Sequence, residues 1–305
     1  MRSDLLAEAE EAAARAAKAA GVAIRGLDTL AELDAMIALF DEIWVPDSGD
    51  SSLRLDLLRA MTKAGNYASG AYDLASGELL GACIGFFGPP AHAELHSHIA
   101  GVRPAGLGRS IGFALKVHQR TWCLRQDVRA IAWTYDPLIR RNAYFNLAKL
   151  GARPTEYLRN FYGTMDDVIN GGTETDRMLV HWDLLSDLTA EACAGRGQAA
   201  SFAAERDRGA AVALSAGADG APVPGLVPTG LVPAGVTPAC GPGVRTLLVG
   251  VPADIEAMRL SDPALAGAWR TALRDVLSPL LNGGARVTGF DRSGWYVVSL
   301  GGDDR

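Results

Sequence analysis

The segment Val102-Arg103-Pro104-Ala105-Gly106-Leu107-Gly108-Arg109-Ser110-Ile111-Gly112 constrains this chain more than any other. Gly106, Gly108 and Gly112 let the backbone turn tightly and come close to a ligand. Residues 94–102 (ELHSHIAGV) before it are a strand candidate, and residues 110–125 after it have helical spacing. A strand that enters a helix through such a turn leaves the first-turn N–H groups free at the positive end of the helix dipole. Those groups form a pyrophosphate cradle. Arg103 or Arg109 can add charge-assisted contacts.

Residues 1–20, rich in Ala and Glu, read as an amphipathic helix with Leu5, Leu6, Ala9, Ala13 and Ala16 on one side. A strand at 22–27 follows. Thr29 caps a helix over 30–44, and a second helix at about 52–62 presents Leu53, Leu57 and Met61 after the polar loop 47–51. Strands at 67–72 and 79–87 flank the turn 73–78 (DLASGE), which is good hairpin chemistry. Beyond the glycine-rich turn and its helix come a strand at 128–134, a helix at 138–150 stopped by Gly151, and strands at about 155–162 and 178–184. This order implies a mixed α/β (α+β) architecture, a central sheet covered by helices on both faces. A short helix is expected at 184–194. From 215 to 243, Pro222, Pro224, Pro228, Pro233, Pro238 and Pro242 argue against regular structure. A buried strand at 245–251, a helix at 263–281 and a hairpin from 286–290 and 295–300 then form a smaller C-terminal α/β extension. The expected domains are an N-terminal helix (1–20), the main domain (21–187), a helix and Gly/Pro-rich connector (188–243) and a C-terminal subdomain (244–305).

The 305 residues are 49% hydrophobic, enough for a full core. A net charge of −6 gives no global attraction to nucleic acid or to acidic membrane. Cys83, Cys123, Cys193 and Cys240 stand far apart, without a CxxC pair. They support neither a zinc site nor a disulfide framework and suit a reducing cytoplasm. No leader-like or membrane-spanning apolar run occurs.

The turn resembles the signature of the GNAT acyltransferases, V-x-P, a short gap, then [Q/R]-x-x-G-x-[G/A] opening a helix. With Val102 and Pro104 on V-x-P, the second part falls on Leu107, Gly108, Arg109, Ser110, Ile111 and Gly112. Leu107 stands in place of Gln/Arg and Ser110 in place of Gly. The order of elements from 22 to 184 follows the family, and Lys149-Leu150-Gly151-Ala152 matches its later K-x-G-[F/A] helix stop. Counting back from Gly151, the family's common Asn falls on Arg140 and its frequent Tyr acid on Leu147. Asn142, Tyr144 and Asn146 stand nearby on the same helix. His96-Ser97-His98, Trp133-Thr134-Tyr135-Asp136-Pro137-Leu138 and Arg141-Asn142-Ala143-Tyr144-Phe145-Asn146 also look like a GNAT branch with a C-terminal extension. Some relatives in that branch are associated with N-acylamino-acid metabolism. The resemblance implies acetyl-CoA or another acyl-CoA as co-substrate, no metal, and transfer to an amine of a small molecule, an amino acid among the options. Its cofactor-binding residues would be Gly101, Val102, Leu107, Gly108, Arg109, Ser110, Ile111, Gly112, Arg140 and Asn142. Its oxyanion donor would be a backbone N–H at Gly101 or Val102.

Acyl transfer to an amine needs a base and benefits from an acid at the departing thiolate. His96 and His98, two apart on a strand, share a face, with Val102 on it by parity. Either histidine suits a base at neutral pH, His98 being nearer the turn; the pair can equally be structural. Asp136 can take a proton or cap the helix that follows. Tyr144 can serve as acid or pack beside Phe145, and Glu94 is a further base or a solvated strand end. Asp176 and Arg177 are expected to pair. Arg140, Arg141 and Arg177 are the arginines that can converge on a carboxylate. The departures at Leu107, Ser110, Arg140 and Leu147 leave a second reading, a CoA-binding module with weak or no turnover that regulates or interacts. In that case Trp269, Trp295 and Tyr296 would anchor a contact such as a homodimer.

Overall fold

The computed structural model describes residues 2–44, 53–163, 174–227 and 243–301. Cys240, the loop 47–51 and Pro228, Pro233, Pro238 and Pro242 lie outside them. Along the chain the elements are α1 (Arg2–Ala20), β1 (Val22–Gly26), α2 (Leu30–Trp44), α3 (Leu55–Lys63), β2 (Tyr67–Asp73), β3 (Leu79–Phe87), β4 (Glu94–Val102), α4 (Ile111–Arg125) and β5 (Ala130–Tyr135). Then come α5 (Arg140–Tyr144), β6 (Arg153–Leu158), β7 (Arg177–Asp183), α6 (Asp187–Glu191), α7 (Phe202–Asp207), β8 (Ala211–Ala216) and β9 (Pro222–Pro224). The last are β10 (Thr246–Gly250), α8 (Ile255–Ser261), α9 (Pro263–Asn282), β11 (Arg286–Asp291) and β12 (Trp295–Ser299). The order expected between 22 and 184 is present throughout. The chain divides into two compact units, Met1–Trp133 with Trp182–Arg196, and Thr134–His181 with Gly197–Arg305. Strands β5 and β7 each pass from one unit into the other.

In the first unit β1, β2, β3 and β4 follow one another antiparallel, and β5 joins β4 in parallel. The sheet is therefore mixed, with helices on it. Residues 79–85 of β3 are all buried, as expected of a strand covered on both faces. One face packs on α2 and α3 through Leu33, Met36, Phe40, Leu58, Ala82 and Ile84. Leu58 rather than Leu57 is the buried residue of α3; Leu57 faces solvent, while Leu53, Leu55 and Met61 pack against the same core. Thr29 and Glu32 form a reciprocal capping box that starts α2. The Glu32 N–H donates to Thr29 Oγ1 at 3.3 Å, and the Thr29 N–H to Glu32 Oε2 at 3.1 Å. The other face carries α4, on which α1 lies; Thr121 Oγ1 donates to the Ala9 carbonyl at 2.9 Å.

In the second unit β6 and β7 form an antiparallel pair, and a five-stranded sheet runs β11-β12-β10-β8-β9. The helix expected over 138–150 is one turn, α5, continued by a π-helical turn over Phe145–Lys149. The Leu150 N–H donates to the Phe145 carbonyl at 3.0 Å, and Gly151, at φ +70°, ends it. The expectation that Pro222 and Pro224 exclude regular structure is corrected. They lie in β9, which pairs with β8 at the sheet's edge, where a residue without an N–H is tolerated. Trp269 and Tyr296 are fully buried in the core of this unit and Trp295 packs on Phe202, so these rings are core residues, not exposed anchors. Among the described residues no helix is long and apolar enough to cross a membrane.

Candidate functional site

Strand β4 carries one residue more than its partner. Ile84 pairs with Ile99, but Gly85 pairs with Ser97, leaving His98 as a bulge. The bulge reverses the alternation beyond it. His96 and His98 still stand on one face, beside Phe86, with ring centroids 5.0 and 5.7 Å from that ring and 6.2 Å from each other. Val102, expected on that face by parity, instead points towards Ile111 and Gly112 of α4, as the contacts around Gly106 and Gly112 show. Burial, His98 and Lys116 hold the His96 imidazole below its ordinary value, and burial does the same to His98. Both rings are therefore neutral, proton-accepting bases at neutral pH.

Registered pairing between β4 and β5 runs from Glu94–Ala130 to His96–Ala132 and goes no further. From Ser97 to Val102 strand β4 is hydrogen-bonded to β3 on one side, with no registered pair to β5 on the other. Such an edge can accept an extended ligand in the manner of an added strand. At its end Gly101 lies against α2. A side-chain carbon there would stand 2.8 Å from both Ile43 Cδ1 and Trp44 Cη2, so any larger residue would have to displace them.

The turn then rises through Pro104–Gly106 as a short 3-10 helix. Gly108 is left-handed at φ +79°, and Ser110 is left-handed at φ 62°, ψ 23°. Ser110 thus occupies the backbone conformation that favours the glycine it replaces. The side chain of Ser110, the N-cap of α4, makes no capping hydrogen bond. The N–H groups of Ile111, Gly112 and Phe113 have no partner four residues back within the helix, which leaves a positive helix end. Leu107 projects into solvent.

Neither arginine of the turn is a loose cation. Arg109 reaches back to end α1, donating from Nη2 to the Ala20 and Gly21 carbonyls at 3.1 and 3.2 Å, while Nη1 stands 2.6 Å from Asp73 Oδ2. Backbone N–H groups of Ser76 and Ala75, with Arg109, hold the Asp73 carboxyl at about 2. Arg103 donates from Nη1 to the Leu79 carbonyl at 3.1 Å, and its Nε lies 2.9 Å from Glu42 Oε2 without hydrogen-bond alignment. Both guanidiniums fasten the turn to the sheet, and the backbone donors remain for a ligand.

Beneath the turn is a group that the sequence reading missed. Lys116 of α4 is buried, 4% exposed, with no carboxylate bonded to it among the described residues. Its Nζ donates to Ser97 Oγ at 3.0 Å and Gln119 Oε1 at 2.8 Å, and sits 3.7 Å above the Trp133 ring. Burial lowers its ammonium to about 8, against upward pulls from Cys83 and Cys123. The one available signal was that Lys116, Gln119 and Arg120, at helical spacing, share a face of α4.

The remaining predicted residues belong to the second unit. Asp136 is buried and ringed by cations, with Oδ2 2.5 Å from Arg259 Nη2, 2.9 Å from Arg270 Nη2 and 3.9 Å from Arg177 Nη1. Its Oδ1 accepts from the Leu138 N–H at 3.0 Å, a capping turn. Burial raises its affinity for a proton, but Arg270, Arg259 and Arg177 outweigh this and leave it below the ordinary value, a poor base. The expected pairing of Asp176 with Arg177 is replaced. Asp176 is held by Arg274 at 2.6 and 2.8 Å and by Tyr157 Oη at 2.7 Å, and Arg177 reaches only its backbone carbonyl. Arg140 and Tyr144 line a cleft of about 370 Å³ together with Arg141, Asp254, Glu256 and Arg292. Arg177 is not among its lining residues, so the three arginines do not converge there. Arg140 donates to the Arg292 carbonyl, and Arg141 pairs with Glu256. Asn142 is half-buried on α5, and Leu147 is core.

No family model matches this sequence, and no curated protein does. Among solved structures the chain is similar to proteins named as N-acetyltransferases. One is the ribosomal-protein-S5-alanine acetyltransferase of Vibrio fischeri, at 15% identity over 54% of this chain and 94% of that one, TM-score 0.45. Another is an N-acetyltransferase of Staphylococcus aureus Mu50, at 15% identity over 53% and 98%, TM-score 0.45. A third is the ribosomal-protein-S18-alanine N-acetyltransferase of Escherichia coli, at 14% identity over 53% and 94%, TM-score 0.43.

Proposed function

We propose that the chain is a CoA-dependent N-acyltransferase of the GNAT type. The observation that carries this reading is the turn after β4. Two left-handed residues, Gly108 and Ser110, lead into an α4 whose N-cap side chain makes no capping hydrogen bond, directly after a bulged strand with an open edge. The element order from β1 to β7 supports it. In this reading the N–H groups of Gly108, Ser110, Ile111 and Gly112 take the pyrophosphate of an acyl-CoA, that of Arg109 being held by the Gly106 carbonyl, the cofactor arm runs along 97–102 of β4, and a backbone N–H at Gly101 or Val102 faces the carbonyl oxygen as it becomes an oxyanion.

His98 removes a proton from the acceptor's ammonium, because it is neutral and nearer the turn than His96. His96 is the alternate. Asp136 is set aside as base because its carboxylate is already neutralised by arginines. The free amine attacks the thioester carbonyl. The carbon–sulfur bond breaks and CoA leaves as a thiolate, which takes up the second proton that the amine nitrogen loses as the amide forms. The acceptor is a small-molecule amine, an amino acid among the options.

The test is incubation of the full chain with labelled acetyl-CoA and a panel of amines and amino acids, followed by detection of the amide. Labelled amide whose formation falls in His98→Gln supports the assignment. A folded protein that transfers nothing from any acyl-CoA refutes it. The second reading, binding without turnover, is favoured by one observation. The position where the family's acid falls is Leu147, which is buried in the core.

A further inference from the structure

Acyl transfer with His98 as base leaves one buried cation of the first unit unused. Lys116 Nζ donates to Ser97 Oγ at 3.0 Å and to Gln119 Oε1 at 2.8 Å. Gln119 Nε2 in turn donates to Cys83 Sγ at 3.5 Å, and Ser97 Oγ lies 3.7 Å from the same sulfur. The four side chains close a ring that joins α4 to β3 and β4, and each is at most 5% exposed.

The ring sits at the bulge. Ser97 pairs with Gly85 and immediately precedes His98, the residue without a partner on β3. The strand passes close over Gly85, where a side-chain carbon would stand 2.9 Å from the His96 carbonyl oxygen and 3.3 Å from Gln119 Nε2. The extra residue of a bulge has no ladder pair of its own, so its aim depends on how its neighbours are held. Ser97 is held from α4, whereas His96 and His98 stand beside Phe86. A charged donor grips a hydroxyl more firmly than a neutral one. A buried charge adds little net stability, and its best-attested use is to fix one register.

We propose that Lys116 is a positioning residue, which through Ser97 fixes the bulge that presents His98. The inference rests on the acyl-transfer reading with His98 as base. Proton removal needs the imidazole aligned with the acceptor's ammonium, so a loosened bulge lowers turnover. The pyrophosphate cradle lies further along the chain, in the turn, and keeps its hold on CoA.

The full chain is prepared with labelled histidine as wild type, Lys116→Met, Ser97→Ala and the double variant. At pH 7 the His98 imidazole signals are followed by NMR, acyl transfer at saturating substrates, and CoA affinity by calorimetry. Lys116→Met should displace the His98 signals in the wild-type background and not in the Ser97→Ala background. Turnover should fall about tenfold or more in each single variant and no further in the double variant, with CoA affinity held within about threefold. Where Lys116→Met does not fold, Ser97→Ala and Ser97→Thr decide, by loss of turnover in the first and rescue in the second, which keeps the hydroxyl. His98 signals that Lys116→Met leaves unmoved, a displacement that persists in the Ser97→Ala background, or turnover losses that multiply overturn the role of Lys116. A loss of CoA affinity equal to the loss of turnover also overturns it. His98 signals that respond as expected in a wild-type protein that transfers nothing overturn the acyl-transfer reading, and the positioning role falls with it.

Discussion

Replacing Lys116 by Met tests the electrostatics beneath the turn. The ammonium binds its proton with an affinity near 8 in the native protein, against an ordinary 10.5. At about 1.4 kcal/mol per tenfold, burying the charged form costs about 3 kcal/mol at pH 7. The bonds to Ser97 and Gln119 and the contact with Trp133 lie on the other side, at about 1 kcal/mol each. The change to Met should therefore be close to neutral at pH 7, instead of the large loss usual for a buried polar group. The pH dependence is more telling. Between pH 8 and 10.5 the native state has released this proton and the unfolded state has not, so stability rises with pH. About 2 kcal/mol is recovered between pH 7 and 9.5. Cys123 and Cys193 act in the opposite sense, because burial pushes their thiols up and only the unfolded chain ionises them in this range. The difference between wild type and Lys116→Met, from urea unfolding at pH 7 and 9.5, cancels the thiols. Wild type should gain about 2 kcal/mol on the variant over that interval. A difference that does not change with pH refutes the buried-ammonium reasoning.

Asp136→Ala leaves Arg259 and Arg270 buried without their carboxylate and should cost about 3–5 kcal/mol by urea unfolding. Ser110→Gly relieves a left-handed serine and should raise stability by about 1 kcal/mol, with CoA affinity equal or higher. His98→Gln should lower the acyl-transfer rate about 10²–10⁴-fold. In the wild type the acid limb attributed to this group should lie below its ordinary 6.5, because burial lowers it.

Local order was legible wherever periodicity alone decides it. The strands of the first unit, α2 with its Thr29 cap, α9 and the final hairpin fall close to their expected positions. The glycine-rich turn was legible because its shape needs few side chains. What failed depended on partners distant in sequence. Nothing in ELHSHIAGV marks His98 as a bulge; it is one because β3 pairs around it, and that moved Val102 to the other face. Lys116 reads as a solvated helix position until Ser97, Gln119 and Trp133 enclose it. Asp136 reads as a cap, and is one, but Arg259 and Arg270 are more than 120 residues away. Pro222 and Pro224 read as breakers because their edge position is a property of the whole sheet.

The most direct test of the central claim is titration calorimetry of CoA into the full chain and into Gly112→Glu. The position of Gly112 is open, its nearest neighbour to an added side-chain carbon being Val102 Cγ2 at 3.9 Å, so the variant should fold. It sets a carboxylate in the first turn of α4, where the pyrophosphate would lie. The account predicts saturable binding by the wild type and a loss of at least tenfold in the variant. Folded wild-type protein that gives no saturable heat with CoA, or a Gly112→Glu variant that binds it equally well, contradicts the account.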